Sequence, residues 1–302
     1  MGADSKRGGI GYNSVMNSIW TPESWRVSGS WLNFQDLRLF VTDQGRGRPL
    51  LLLHGFPTSS YDYTRVVPLL AEHFRLVLFD YPGFGFSGKP RSHRYSLLEC
   101  ADAVQMVAEI FHLDPLLILA HDISDSVVLE LLRRGTPAIA GLIMMNGSVW
   151  SIPFTDLKLL LMQRVMLHPL LGLLISRLHL FRRPIFANMM RQIFFAPLSD
   201  AEIDAFWSLL QFNNGIAIYH LLLGYMRERW QHQVTWLNAL QASQVPLTLV
   251  WGQDDPVATP AVAEIIMARR PDATSIRLAR VGHYPHWEAP EYVAAAVLRA
   301  FT

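Results

Sequence analysis

Five short, predominantly apolar runs, each stopped by a turn-forming or small residue, constrain this chain more than any other feature. Leu50–Leu53 runs into His54-Gly55, and Leu76–Phe79 into Asp80 and the turn-rich Tyr81-Pro82-Gly83-Phe84-Gly85. Leu116–Leu119 ends at Ala120, Leu142–Met145 at Asn146-Gly147, and Leu247–Trp251 at Gly252. Runs this short, without polar alternation, fit strands buried on both faces of a parallel sheet. Between them, Leu97–Phe111 places Ala101, Val104, Ala108 and Phe111 at helical spacing, and Val127–Leu132 and Ala261–Ala268 behave alike. Strand alternating with helix predicts an α/β fold with a mostly parallel, doubly wound sheet. From Ser151 to Leu240 the strand runs stop. Leu, Met, Phe and Trp recur there at helical spacing, broken by Pro153, Pro169, Pro184 and Pro197. The expectation is a core in two parts, residues 1–150 and 241–302, with an all-helical cap inserted at 151–240.

The composition suits a large core. Of 302 residues, 51% are hydrophobic and 17% charged, which excludes a disordered chain. Lys and Arg number 26 against 25 Asp and Glu, so no strong field draws nucleic acid. The single cysteine, Cys100, excludes an intrachain disulfide framework and a cysteine-built zinc site. No metal ion or cofactor is expected. Met1–Ser14 is Gly-rich and polar without an apolar core, so a secretory signal is not expected, and the predicted location is cytoplasmic. Leu157–Phe181 is the most apolar stretch, but Lys158, Gln163, Arg164, His168, Pro169 and Arg177 interrupt it. It reads as a buried helix pair rather than a membrane span, with contact at a membrane surface the less favoured alternative. The oligomeric state stays open between monomer and homodimer.

Ligands of a doubly wound sheet bind beyond the carboxyl ends of its strands. There, Ala120-His121-Asp122-Ile123-Ser124 resembles the nucleophile elbow of α/β-hydrolases, spelled G-x-S-x-G when serine is the nucleophile. The turn requires small residues two before and two after the nucleophile. Asp122 at the centre gives Ala120 and Ser124; Ser124 at the centre would crowd the turn with Asp122. A carboxylate attacks an sp3 carbon or an epoxide and leaves an ester that water must hydrolyse. That second step needs a base. His283, in Gly282-His283-Tyr284-Pro285-His286 after the strand-like Ser275–Leu278, is preferred, and His286 reads as a packing or surface histidine. Trp251-Gly252-Gln253-Asp254-Asp255-Pro256 offers two aspartates to hold His283, with Asp255 the better spaced. The backbone N–H groups of Phe56 and Ile123 are the candidate oxyanion donors, each worth about 2.7–4 kcal/mol in such a site. Pro57 has no N–H and only shapes the turn. The helix that follows Asp122 adds a positive dipole end beneath its carboxylate.

His54-Gly55-Phe56-Pro57-Thr58-Ser59-Ser60, Asp80-Tyr81-Pro82-Gly83-Phe84-Gly85-Phe86-Ser87, His121-Asp122 and Gly282-His283 together resemble the epoxide hydrolase and haloalkane dehalogenase branch of the α/β-hydrolases. Within it the chain is most similar to the mesoderm-specific transcript group, through Asn213-Asn214-Gly215 and Leu221-Leu222-Leu223-Gly224-Tyr225 as well. The resemblance covers nearly the whole chain from Phe40. It implies a cofactor-free hydrolase acting on a small hydrophobic substrate. Dehalogenases of this branch hold the halide with a tryptophan after the nucleophile and often an asparagine in the first loop; those places here are Ile123 and Phe56. Epoxide hydrolases protonate the opening oxygen with two cap tyrosines. The candidates here are Tyr225, ranked first because the most similar group has a tyrosine there, then Tyr219 and His220, all expected in one cap helix. Met162, Met166, Met189 and Met190 are expected in the core or pocket wall. Epoxide opening leads; halide displacement, or a scaffold that binds a hydrophobic ligand without turnover, are the alternatives.

Overall fold

Each apolar run lies inside a strand of one eight-stranded sheet. The structure, a computed structural model, describes residues 20–148, 161, 165, 168–178 and 180–302. In chain order its elements are α1 (Pro22–Ser28), β1 (Ser30–Phe34), β2 (Leu37–Gly45), β3 (Arg48–Leu53), a 3-10 turn (Ser60–Arg65), α2 (Val67–Leu70), β4 (Phe74–Phe79), α3 (Leu97–Ile110), β5 (Leu116–His121), α4 (Ile123–Arg134) and β6 (Ile139–Met145). There follow α5 (Pro169–Arg177), α6 (Arg183–Ile193), α7 (Asp200–Gln211), α8 (Tyr219–Leu222), α9 (Tyr225–Ala242), β7 (Leu247–Gly252), α10 (Pro260–Arg269), β8 (Thr274–Leu278), α11 (Pro285–Glu288) and α12 (Pro290–Phe301).

The strands run in the order β1-β2-β4-β3-β5-β6-β7-β8. β1 with β2 and β2 with β4 pair antiparallel; the other pairs are parallel. β3 therefore sends the chain to one side, to β4, and β5 returns on its other side. This is the switch point at which a doubly wound sheet opens a crevice. The two strands that flank it end at Leu53 and His121, directly before the Phe56 loop and Asp122. All six residues of β5 are buried, as an unbroken apolar run in a covered strand requires.

Every described element between β6 and β7 is helical. It is tied to the sheet layer by buried polar contacts. Trp236 Nε1 donates to Glu130 Oε2 at 2.9 Å. Lys89, buried, donates to the carbonyls of Gly85, Leu209 and Phe212 at 2.7, 2.9 and 2.8 Å. Burial lowers its ammonium pKa to about 7.

The Leu157–Phe181 stretch departs from the expected buried pair. Much of it, with Met162 and Met166, lies outside the described residues, as does Met1–Ser14. What is described, α5, turns Gly172, Ile175 and Ser176 inward. Its other face leaves Leu170 73%, Leu174 49% and Leu178 56% exposed. Among the described residues no helix is long and apolar enough to cross a membrane.

Candidate active site

Asp122 stands at the turn between β5 and α4 with φ 51° and ψ −109°. A non-glycine residue held there costs about 1–3 kcal/mol, so the surroundings must impose it. They do so by close backbone approach. A Cβ on Gly55 would lie 2.8 Å from Asp122 Cβ, and one on Gly147 would lie 2.6 Å from the Asp122 carbonyl oxygen. Only glycine fits those two places. Asp122 N also donates to the Met145 carbonyl at 3.2 Å, locking the turn to the end of β6. Ser124, the other residue considered for the elbow, lies inside α4. Its hydroxyl donates to the His54 carbonyl at 2.6 Å and sits 2.8 Å from the Tyr81 hydroxyl.

The Phe56 N–H donates to Asp122 Oδ2 at 2.9 Å. Ile123 is the first residue of α4, and the leading N–H groups of a helix have no partner within it. Of the two candidate oxyanion donors, the Phe56 N–H thus meets the Asp122 carboxyl directly, and the Ile123 N–H opens the helix that follows it.

His283 and Asp255 meet beyond the ends of β8 and β7. His283 Nδ1 lies 2.8 Å from Asp255 Oδ2, and both side chains are buried. Burial by itself pushes the imidazole pKa down. The Asp255 carboxylate, helped by Asp122 and Glu288, more than reverses that and raises it above the ordinary histidine value. Asp254 is exposed and accepts from Arg280 N at 2.8 Å, away from the histidine. Asp255 is further held by Val257 N at 2.7 Å and by Asn146 Nδ2 at 2.7 Å. Asn146 reads in the sequence as a turn residue only. Its position at the end of β6, beside β7, turns its amide into a clamp on Asp255, and its Oδ1 accepts from Gly252 N at 2.8 Å. Glu288, also missed, accepts from Gly282 N, Phe195 N and Ala196 N at 2.9, 2.8 and 3.2 Å, fastening the His283 loop to the end of α6.

A cavity of about 430 Å³ opens beside these groups, lined by Phe56, Tyr219, Tyr225, Met189 and His283 among apolar side chains. Asp122 is not among the lining residues; its carboxyl accepts from the N–H of Phe56, which is. Tyr219 and Tyr225 do not share one helix as expected. The chain breaks at Leu223-Gly224 between α8 and α9, and the break brings both rings round to Phe56, with centroids 5.3 and 5.5 Å away. Burial raises both phenol pKa values, so both carry their proton at neutral pH. His220 points elsewhere. Its Nδ1 lies 2.8 Å from Ser176 Oγ on α5, and it does not line the cavity. Met189 lines the cavity and Met190 is fully buried.

Behind the site lies a second polar group. His121 Nε2 donates to the His283 carbonyl at 2.7 Å, which leaves its Nδ1 unprotonated and without a partner. His286 is wholly buried, stacked on Tyr63 at 4.5 Å, and is neither at the surface nor beside Asp255. One ligand atom each from Asp62, His121 and His286 lies within 4.8 Å of the others, with His286 Nε2 and Asp62 Oδ2 at 3.9 Å. Zinc ligands at about 2.0–2.1 Å from the ion stand only some 3.4 Å apart. The wider spacing suits hydrogen bonds through a shared water rather than direct coordination.

A family model described as "alpha/beta hydrolase fold" matches residues 48–290. The chain belongs to the α/β-hydrolase family. This α/β-hydrolase is 38% identical over 287 residues to LipZ of Mycobacterium tuberculosis (strain CDC 1551 / Oshkosh), designated a candidate hydrolase, covering 91% of this chain and 96% of that one. It is 32% identical to the mesoderm-specific transcript protein of Mus musculus, covering 88% and 84%. Among solved structures it superposes on the haloalkane dehalogenase DatA from Agrobacterium tumefaciens C58, with a TM-score of 0.78, 17% identity, and coverage of 89% and 94%. That likeness concerns the fold.

Proposed function

We propose that this α/β-hydrolase opens epoxides to diols through an ester on Asp122, with residues 151–240 acting as the cap over the site. The Asp122 carboxylate attacks one ring carbon of a small hydrophobic epoxide. The ring C–O bond breaks, and the leaving oxygen takes a proton from Tyr225 or Tyr219. His283, held by Asp255, then removes a proton from water, and the hydroxide adds to the Asp122 carbonyl carbon. The N–H groups of Phe56 and Ile123 hold the resulting oxyanion. Collapse releases the diol and the carboxylate, and the imidazolium proton returns to the tyrosinate through solvent. One water is consumed and no oxidant or reductant is needed.

The observation that carries epoxide opening over halide displacement is the donor inventory of the cavity. Of its described lining side chains, only Tyr219, Tyr225 and His283 hold an N–H or O–H. An alkoxide needs a proton, which a phenol supplies. A halide needs a cradle of donors around it, and Ile123 and Phe56 stand where a tryptophan and an asparagine would provide one. Retention of His283 paired with Asp255 argues against a scaffold that only binds, because binding has no use for a base. A single-turnover reaction in heavy-oxygen water tests the covalent route. The ester mechanism puts the label on Asp122 and leaves the first diol unlabelled; direct attack by water labels the first diol instead.

A further inference from the structure

We propose that the exposed face of α5 docks on an anionic lipid bilayer and that the cavity takes its substrate from that surface. Docking stands on the surface itself; the substrate statement rests on the hydrolase function proposed above.

The face is built like an interfacial helix. Leu170, Leu171, Leu174 and Leu178 project from one side of α5 and its end, all exposed, while Gly172, Ile175 and Ser176 pack inward. Beyond α5, Leu180 and Ile185, with Val165, are exposed apolar side chains as well. Grouped leucines of this kind mark an interaction site rather than ordinary surface scatter. Leu180, Ile185 and Val165 also line the cavity. These side chains form a cavity wall and still stand nearly half exposed, and Ile175 of α5 lines the same cavity, so the cavity lies next to the helix that carries the leucines.

Charge identifies the occupant. From 157 to 199 the chain has no Asp or Glu, and it carries Lys158, Arg164, Arg177, Arg182, Arg183 and Arg191. Arg183 and Arg191 are tied to Asp200 and Asp204. Arg177 and Arg182, which flank the leucines, make no ion pair among the described residues. Exposed leucines flanked by two arginines without an ion pair among the described residues match acyl chains beneath anionic headgroups. A second copy on the same face would bring arginine against arginine.

The test is sedimentation of the full chain with vesicles of phosphatidylcholine, with and without phosphatidylglycerol, for wild type, Leu170→Glu/Leu174→Glu and Arg177→Glu/Arg182→Glu. Neither pair lines the cavity, and an unchanged melting temperature shows that each variant folds. Wild type should bind anionic vesicles at least tenfold more than neutral ones. The leucine variant should lose binding, and the arginine variant should fall by roughly tenfold or more. Docking is overturned if wild type stays in solution with both vesicles, if the leucine variant binds equally well, or if light scattering shows a dimer that the leucine variant dissolves. For the substrate, the leucine variant should lose at least tenfold in turnover of a long-chain epoxide carried in anionic vesicles. Its turnover of a short, water-soluble epoxide should stay unchanged. Equal loss on both, or on neither, overturns delivery from the bilayer. If wild type turns over neither epoxide, the hydrolase function falls and sedimentation alone decides docking.

Discussion

Asn146 donates its side-chain amide to Asp255 Oδ2 across 2.7 Å, onto the same oxygen that lies 2.8 Å from His283 Nδ1. The geometry of the histidine thus depends on a residue from a different strand. Asn146→Ala removes that donor and also strands the buried Gly252 N–H, which bonds to Asn146 Oδ1. A buried polar group left unpaired costs about 1–3 kcal/mol, so the melting temperature should fall and kcat should drop with little change in KM. Denaturant unfolding with steady-state kinetics on one epoxide measures both. An unchanged kcat would show that Asp255 needs no such clamp.

The two adjacent aspartates should behave differently. Asp255→Asn removes the charge beside His283, and loss of the corresponding acid in serine proteases costs about 10⁴ in kcat. A loss of at least about 10²-fold is expected here. Asp254→Asn weakens only an exposed bond to Arg280 N and should stay within a few-fold of wild type. Side-by-side turnover numbers decide, and a larger loss for Asp254→Asn would reverse the assignment.

The pH profile follows from the raised pKa of His283. A base works when neutral, so ester hydrolysis should rise as pH climbs through that value, with the midpoint above the ordinary histidine value of about 6.5. Asp255→Asn should move the midpoint downward, because burial then acts with less opposition. For stability the sign is opposite. A folded pKa above the unfolded one adds stability at acidic pH, and this is lost as pH rises through the folded value. Rate–pH curves for wild type and Asp255→Asn provide the check; a midpoint that does not move contradicts the electrostatic role of Asp255.

The proton donor should be a cavity tyrosine. Tyr225→Phe or Tyr219→Phe should lower epoxide turnover by about 10²-fold or more, the usual worth of a positioned acid, while leaving turnover of a bromoalkane much less affected. His220→Ala should do little to either substrate, because His220 faces Ser176. Faster release of bromide than of diol by wild type would favour the dehalogenase alternative.

The parallel sheet and the elbow were legible in the sequence for one physical reason. Strands covered on both faces must be apolar throughout, and the turn after such a strand must use small residues around Asp122. β1 and β2 lacked that signal. They form the antiparallel end of the sheet, and β1, at its edge, leaves most of its residues partly exposed, so polar and apolar residues mix. Asn146 and Glu288 were illegible because each acts through a neighbour brought close only by strand order or loop packing. The helix break at Leu223-Gly224, which aims Tyr219 and Tyr225 at one ring, is likewise a tertiary outcome. Apolar composition also cannot tell a leucine facing the core from one facing outward, and α5 shows both.

The covalent ester on Asp122 is the central claim, and His283→Gln tests it most directly. Alkylation needs the carboxylate and a proton donor, whereas ester hydrolysis needs the base. The variant, incubated with an epoxide that wild type consumes, should therefore gain the mass of one epoxide. Peptide mapping should place that mass on Asp122, and Asp122→Ala/His283→Gln should gain none. An unmodified His283→Gln protein, or an adduct that persists without Asp122, would contradict the mechanism.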